Sequence, residues 1–190
     1  MQTEQPHITE LLQACKKGSA TAQFEIYKLY YKAMFNTAVR ILQNTYDAED
    51  VMQEAFLNAF TKLESFKGEV PFGAWLKRIV INKSLTHLKK KNKLQEVNLE
   101  LVDKKLESDN EQEAAEMKID YVSLKVKEVS KAMAQLKESY RTILNLSLVE
   151  GYDNEEIAGI MNISNENCRT TISRAKSRLR KVLMESSVLN

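Results

Sequence analysis

Apolar positions recur at helical spacing through most of the chain. Phe24, Tyr27, Tyr30 or Tyr31, Phe35, Ala38 and Ile41 or Leu42 predict one long helix from about Ser19 to Gln43. Ala48, Val51, Met52, Ala55, Phe56, Ala59, Phe60 and Leu63 then follow an i, i+3, i+4, i+7 rhythm, the stripe of a helix that faces a core. Asp47 is the expected N-cap of that helix, with Asp50 three residues on. Pro71 suits the first turn of a further helix, about 71–91, burying Phe72, Leu76, Ile79 and Val80.

The C-terminal part continues the pattern. Val126, Val129, Met133 and Leu136 predict one helix. Tyr140, Ile143, Leu144 and Leu148 predict a second, ending at Gly151. Two short segments follow. Asp153 with Glu156 has the form of a capping box, and Ser164 is a second N-cap. Only Asn162 and Ile163 separate these helices, and Asn tolerates the left-handed backbone that a tight turn needs. Two short helices joined this tightly predict a helix-turn-helix. Its second helix carries a core stripe of Cys168, Ile172, Ala175, Leu179 and Val182.

With 43% hydrophobic residues the chain can build cores, and its 5 Gly and 2 Pro leave few strand or turn signals. The expected fold class is therefore all-α. Two small helical domains, 8–92 and 121–185, flank an acid-rich stretch at 93–120. That stretch reads as a linker, the alternative being a solvated surface helix within one domain. Its roughly 28 residues could stretch to nearly 100 Å. The spacing of any two sites on one duplex is thus left open.

The formal net charge of +2 hides a segregation of charge. On the last helix, Arg169, Thr170, Ser173, Ser177 and Arg180 share one face, flanked by Arg174, Lys176, Arg178 and Lys181, with no acid between Glu166 and Glu185. Cations interleaved with small hydroxyls suit a major groove, where Arg pairs with guanine and the flanking cations hold phosphates. A helix dipole accounts only for charges in the last turn. A second cationic side runs through Arg78, Asn82, Thr86, Lys89 and Lys93, with Lys77, Lys83, Lys90 and Lys91 beside it. Phe72 and Trp75 could stack on an unpaired base, although Trp75 fits a core position better. The loop ESFKGEV, with Phe66 and Lys67, is the better place for a mobile contact with splayed bases.

Against this basic background stands YDAEDVMQEAF, residues 46–56. Asp50, Gln53, Glu54 and Leu57 turn outward together, opposite the core stripe. Dipole compensation explains Asp47, Glu49 and Asp50 but not Gln53, Glu54 and Leu57. An acidic face with an exposed aliphatic repels phosphate and fits a protein partner. Reading these acids as metal ligands is weak without His or a matching second cluster. His7 and His87 are isolated, and no phosphate loop or catalytic triad stands out, so neither an enzyme nor a cofactor is expected. Cys15 and Cys168 form no CxxC and are expected to be reduced thiols. The start MQTEQPHITE is polar, and no apolar run approaches the roughly 18 residues of a membrane span. The expectation is a cytoplasmic protein without membrane insertion.

Three stretches, DAEDVMQEAF, FGAWLKRIVINKSLTHLKK and LVEGYDNEEIAGIMNIS…SRAKSRLRK, together resemble the extracytoplasmic-function (ECF) sigma factors, small promoter-specificity subunits of bacterial RNA polymerase. They cover nearly the whole chain in family order. The resemblance implies an N-terminal domain that binds core polymerase and the promoter −10 element, and a C-terminal domain that reads −35. It places core binding on Asp47, Glu49, Asp50, Gln53, Glu54 and Leu57, toward the polymerase clamp helices, with the polymerase flap as a further contact. It places −10 contacts on Phe66, Lys67, Arg78, Asn82, Lys83, Thr86, Lys89 and Lys90, and −35 contacts on Ser164, Arg169, Thr170, Ser173, Arg174, Lys176 and Arg178. It also implies no chemistry of its own, and brings an anti-sigma factor among the candidate partners. Glu166-Asn167 stands where the family often has Gly-Thr. Thr86 and Lys89 stand where it often has Asp and Arg, and Lys lacks the planar fork of Arg. A stand-alone helix-turn-helix repressor is the alternative, but it needs neither a second basic helix nor an acidic face.

Overall fold

A computed structural model of the chain describes the backbone of residues 6–99 and 121–188, and the side chains of 7–93 and 125–186. The fold divides into two compact units, Met1–Lys105 and Leu106–Asn190. Among the described residues the regular structure is helical throughout. Residues 100–120 of the expected linker lie outside the described residues.

The N-terminal unit contains α1 (Pro6–Lys16), α2 (Ala20–Leu42), α3 (Thr45–Thr61), a single 3-10 turn (Leu63–Ser65) and α4 (Phe72–Leu99). α2, α3 and α4 pack on one another and α1 packs on α2. Their shared core includes Ile26, Met34, Ile41, Met52, Phe56, Phe72, Leu76, Val80 and Ile81, all buried. Full burial of each such side chain contributes roughly 1.5–3 kcal/mol. Ser19 caps α2 by accepting from the Ala22 N–H at 3.3 Å, and Gln43 ends it in the left-handed region at φ 54.

Several expectations shift in detail. The core stripe of α2 runs through Ala22, Ile26, Met34, Ala38 and Ile41. The aromatics lie beside it: Tyr27, Tyr31 and Phe35 are half-buried, and Phe24 is exposed with the Lys28 ammonium 4.6 Å from its ring centre. An aromatic rhythm and an aliphatic rhythm coexist on this helix, and the aliphatics win the centre. α3 is capped by Asn44, not Asp47: the Asn44 side chain accepts from the Asp47 N–H at 2.9 Å. Asn is as good an N-cap as Asp, and it stands where the backbone is still extended. α4 opens at Phe72, with the carbonyl of Pro71 accepting from Ala74 and Trp75. It runs on to Leu99, past the expected end at 91, because no Gly or Pro occurs between Gly73, in its first turn, and Leu99.

The C-terminal unit contains α5 (Tyr121–Ala134), α6 (Glu138–Leu144), a π-helical extension of α6 (Asn145–Val149), α7 (Asn154–Met161) and α8 (Asn165–Val188). Met133 and Leu136 are buried as expected, but Leu136 lies beyond the end of α5, and Val126 is 60% exposed. Ile143 and Leu144 are buried, whereas Leu148 is 52% exposed. The wider π turn adds a residue per turn and rotates Leu148 off the stripe.

Candidate nucleic-acid and protein-docking surfaces

The α7–α8 pair forms from local signals that agree. Asp153 accepts from the Glu156 N–H at 2.8 Å, and Glu156 accepts from the Asp153 N–H at 2.9 Å, closing the capping box. Asn162 ends α7 at φ 55, ψ 52, in the left-handed region. Ser164 accepts from the Asn167 N–H at 3.2 Å and its carbonyl accepts from Cys168. The stripe of Cys168, Ile172, Ala175, Leu179 and Val182 is buried throughout. Burial raises the Cys168 thiol pKa, and that of Cys15 in the other unit, which disfavours the thiolate at both.

With that stripe inward, Arg169, Thr170, Ser173, Arg174 and Arg178 are exposed and Lys176 is half-buried. The Thr170 hydroxyl donates to the Glu166 carbonyl at 2.9 Å, which leaves its oxygen able to accept. Arg169, Ser173 and Lys176 line a cleft of about 330 Å³ together with Ile172, Ser147 and Asn154. Sequence reasoning passed over Ser147 and Asn154. No spacing rule links a π turn and a helix start to the face of a later helix.

In the N-terminal unit, Asn82, Thr86, Lys89 and Lys90 are exposed along α4 and Arg78 is half-buried. The Thr86 hydroxyl donates to the Asn82 carbonyl at 2.8 Å. Lys67 is exposed, but the Phe66 ring packs 5.6 Å from Phe72 and 5.2 Å from Trp75, centre to centre. Trp75 is half-buried in that cluster, and the Phe66 ring rests on it.

On α3, Glu49, Asp50, Gln53 and Glu54 are exposed and Leu57 is 69% exposed. Tyr46, at 82% exposure, joins Asp50, Gln53 and Leu57 at i, i+4, i+7 and i+11. It extends the face by an aromatic that sequence reasoning left aside. Asp47 instead turns toward α4, where it accepts from Lys91 at 2.7 Å, with His87 Nε2 3.5 Å away. Glu54 accepts from Lys83 at 2.9 Å. As the α3 partner advances from 47 to 54, the α4 partner falls back from 91 to 83, so the two helices run antiparallel. The Lys83 hydrogen bond and charge, then Lys90 and His87, hold the Glu54 carboxyl below its usual range.

The sequence matches family models on both units: Sigma-70 region 2 over residues 26–94, and Sigma-70, region 4 over residues 127–179. The ECF RNA polymerase sigma factor SigW of Bacillus subtilis is 28% identical over 182 residues, covering 94% of this chain and 97% of that protein. The RNA polymerase sigma-H factor of Pseudomonas aeruginosa is 28% identical over 183 residues, covering 92% of each. The sigma factor RpoE of Bartonella quintana, solved with the anti-sigma factor NepR, shares the fold. It has a TM-score of 0.60 at 22% identity, over 84% of this chain and 95% of that one. CnrH, solved with the cytosolic domain of CnrY, gives 0.53 at 20% identity, over 92% and 96%. The chain belongs to the extracytoplasmic-function sigma factors, transcription initiation factors that direct RNA polymerase to promoters, with region 2 in its N-terminal unit and region 4 in its C-terminal unit.

Proposed function

We propose a division of labour among the three surfaces. The outward face of α3 (Glu49, Asp50, Gln53, Glu54 and Leu57, extended by Tyr46) docks on core RNA polymerase. The exposed side of α4, with the loop 66–71 ahead of it, meets the −10 element. The basic face of α8 reads −35 with Arg169, Thr170, Ser173 and Arg174, while Lys176 and Arg178 hold phosphates. The observation that carries this reading is the segregation of surfaces. One face is acidic with exposed aliphatic and aromatic anchors, and the other two are cationic. Acids at 49, 50 and 54 repel phosphate, and an anchor such as Tyr46 gains most when a protein covers it.

Asp47, by contrast, acts within the fold, tying α3 to α4. The chain performs no chemistry itself; the polymerase makes the RNA, in the cytoplasm. Among the described residues no helix is long and apolar enough to cross a membrane. An anti-sigma factor, the partner in the solved Bartonella quintana structure, is the antagonist class to seek by co-purification.

The test is reconstitution. Transcript start sites mapped after overexpression supply a promoter, and the purified chain is added to core polymerase on that template. Promoter-dependent transcripts that vanish with Asp50→Lys/Gln53→Lys, while helicity is kept, bear the reading out. A chain that binds DNA tightly by itself and never co-purifies with core polymerase would overturn it.

A further inference from the structure

Lys83 stands on the side of α4 assigned to the −10 element, and Glu54 stands on the face of α3 assigned to the polymerase. In the free chain each is the other's partner, at 2.9 Å. The Lys83 side chain is 28% exposed and that of Glu54 is 67% exposed, so the bridge lies at the surface where either partner can be drawn away. We propose that the Glu54–Lys83 bridge is a latch shared by the two binding surfaces: core polymerase takes the carboxylate, promoter DNA takes the ammonium, and each event frees the group that the other needs. This rests on the surface assignments made above.

The physical case is one of competing charges. A phosphate approaching Lys83 in the free chain meets an ammonium already neutralised by a carboxylate in contact with it. The same carboxylate repels the phosphate directly. A cation of the polymerase that engages Glu54 removes both obstacles. By linkage, DNA bound at Lys83 leaves Glu54 unneutralised and improves polymerase binding by the same factor. Exposed ion pairs are weak, so the coupling is small, about two- to five-fold. The second bridge between these helices, Asp47 to Lys91, keeps α3 and α4 in register while the latch exchanges partners. Asp47 is the less exposed carboxylate, at 24%.

Two titrations of the full chain test the latch. In the first, a fluorescein-labelled single-stranded 20-mer of mixed sequence is titrated with wild type, Glu54→Gln, Lys83→Gln and the double variant. Glu54→Gln should tighten binding about two- to five-fold and steepen the salt dependence, because a freed lysine displaces a further counterion. In the Lys83→Gln background the same change should do much less. In the second, the labelled chain is titrated with core polymerase. Lys83→Gln should tighten that complex by a similar factor, and only where Glu54 is present. An unchanged or weakened DNA affinity of Glu54→Gln, or an unchanged or weakened polymerase affinity of Lys83→Gln, overturns the latch. If Lys83→Gln leaves DNA binding unaltered even in the Glu54→Gln background, Lys83 is no DNA contact and the surface assignment falls with it. If both residues matter but their effects simply add, only the latch falls.

Discussion

A Cβ added at Gly73 would lie 2.7 Å from Cε1 of Tyr30. The close approach lets the first turn of α4 press against α2, where the Tyr30 ring meets Phe72 edge-on at 5.5 Å. Gly73→Ala therefore sets two effects against each other. Ala gains up to about 1 kcal/mol of helix propensity over Gly. Overpacking costs typically about 1–3 kcal/mol, and a shift of the Tyr30 ring disturbs its contact with Phe72. The expected net result is a loss of about 1 kcal/mol in urea denaturation followed by circular dichroism. In a Tyr30→Leu background the same substitution should become neutral or stabilising.

Asn162 supplies the left-handed residue between α7 and α8, at φ 55. Asn162→Gly relieves the steric cost of that conformation and is expected to change stability by a few tenths of a kcal/mol. Asn162→Val places a β-branched side chain there and is expected to cost about 1–2 kcal/mol. The valine variant should also weaken binding to promoter DNA, because the turn sets the angle at which α8 is presented. Thermal denaturation and a −35 duplex titration of both variants check the pair.

Much of this protein was legible in its sequence where one local rule sufficed. The capping box at Asp153, the turn at Asn162 and the stripe on α8 each follow from spacing alone, and they place the basic face outward without further assumption. The outward set Asp50, Gln53, Glu54 and Leu57 follows in the same way from the inward stripe of α3. What escaped involves competition or pairing between elements. On α2 the aliphatic stripe displaced the aromatic one from the core centre, a choice made by α3 and α4. Asn44 took the cap expected of Asp47 because two good cap residues lay within one turn. The bridges from Asp47 to Lys91 and from Glu54 to Lys83 depend on an antiparallel register that no single-helix pattern encodes.

Thr142 on α6 is 2% exposed, and its Oγ1 has no hydrogen-bond partner among the described residues. A buried hydroxyl left unpaired costs roughly 1–3 kcal/mol. Valine has nearly the same shape without that oxygen. Thr142→Val is expected to stabilise the chain by about 1 kcal/mol, read as a higher urea midpoint at unchanged slope. A loss of stability would show that the hydroxyl is bonded in solution.

The Glu54 carboxyl has its folded pKa held below the ordinary value, first by its hydrogen bond to Lys83. A carboxylate shifted down contributes stability that is present above its unfolded pKa and is lost as pH falls through the folded one. With a side chain 67% exposed, that contribution is less than about 1 kcal/mol. The stability gap between wild type and Glu54→Gln should therefore be small but measurable at neutral pH and low salt. It should close as pH falls through and below the carboxylate range, and it should shrink in high salt. A gap that survives acid would assign the effect to packing rather than charge.

Arg174 and Lys176 separate the two ways in which α8 can hold DNA. Arg174 is exposed beside the face of Arg169, Thr170 and Ser173, and its guanidinium fork can bond two acceptors of one guanine. Arg174→Ala is expected to cost about 1–3 kcal/mol on the preferred −35 sequence and to flatten the preference at one base position. Lys176 is half-buried at the cleft with Ser147 and Asn154, and a flexible ammonium there suits a phosphate. Lys176→Ala should weaken all −35 variants alike and reduce the slope of log K against log salt by roughly 0.9. Binding measured across single-base −35 variants at several salt concentrations distinguishes the two. If Arg174→Ala instead lowers every variant equally and reduces the salt slope, Arg174 is a phosphate contact and the base-reading role moves to Arg169.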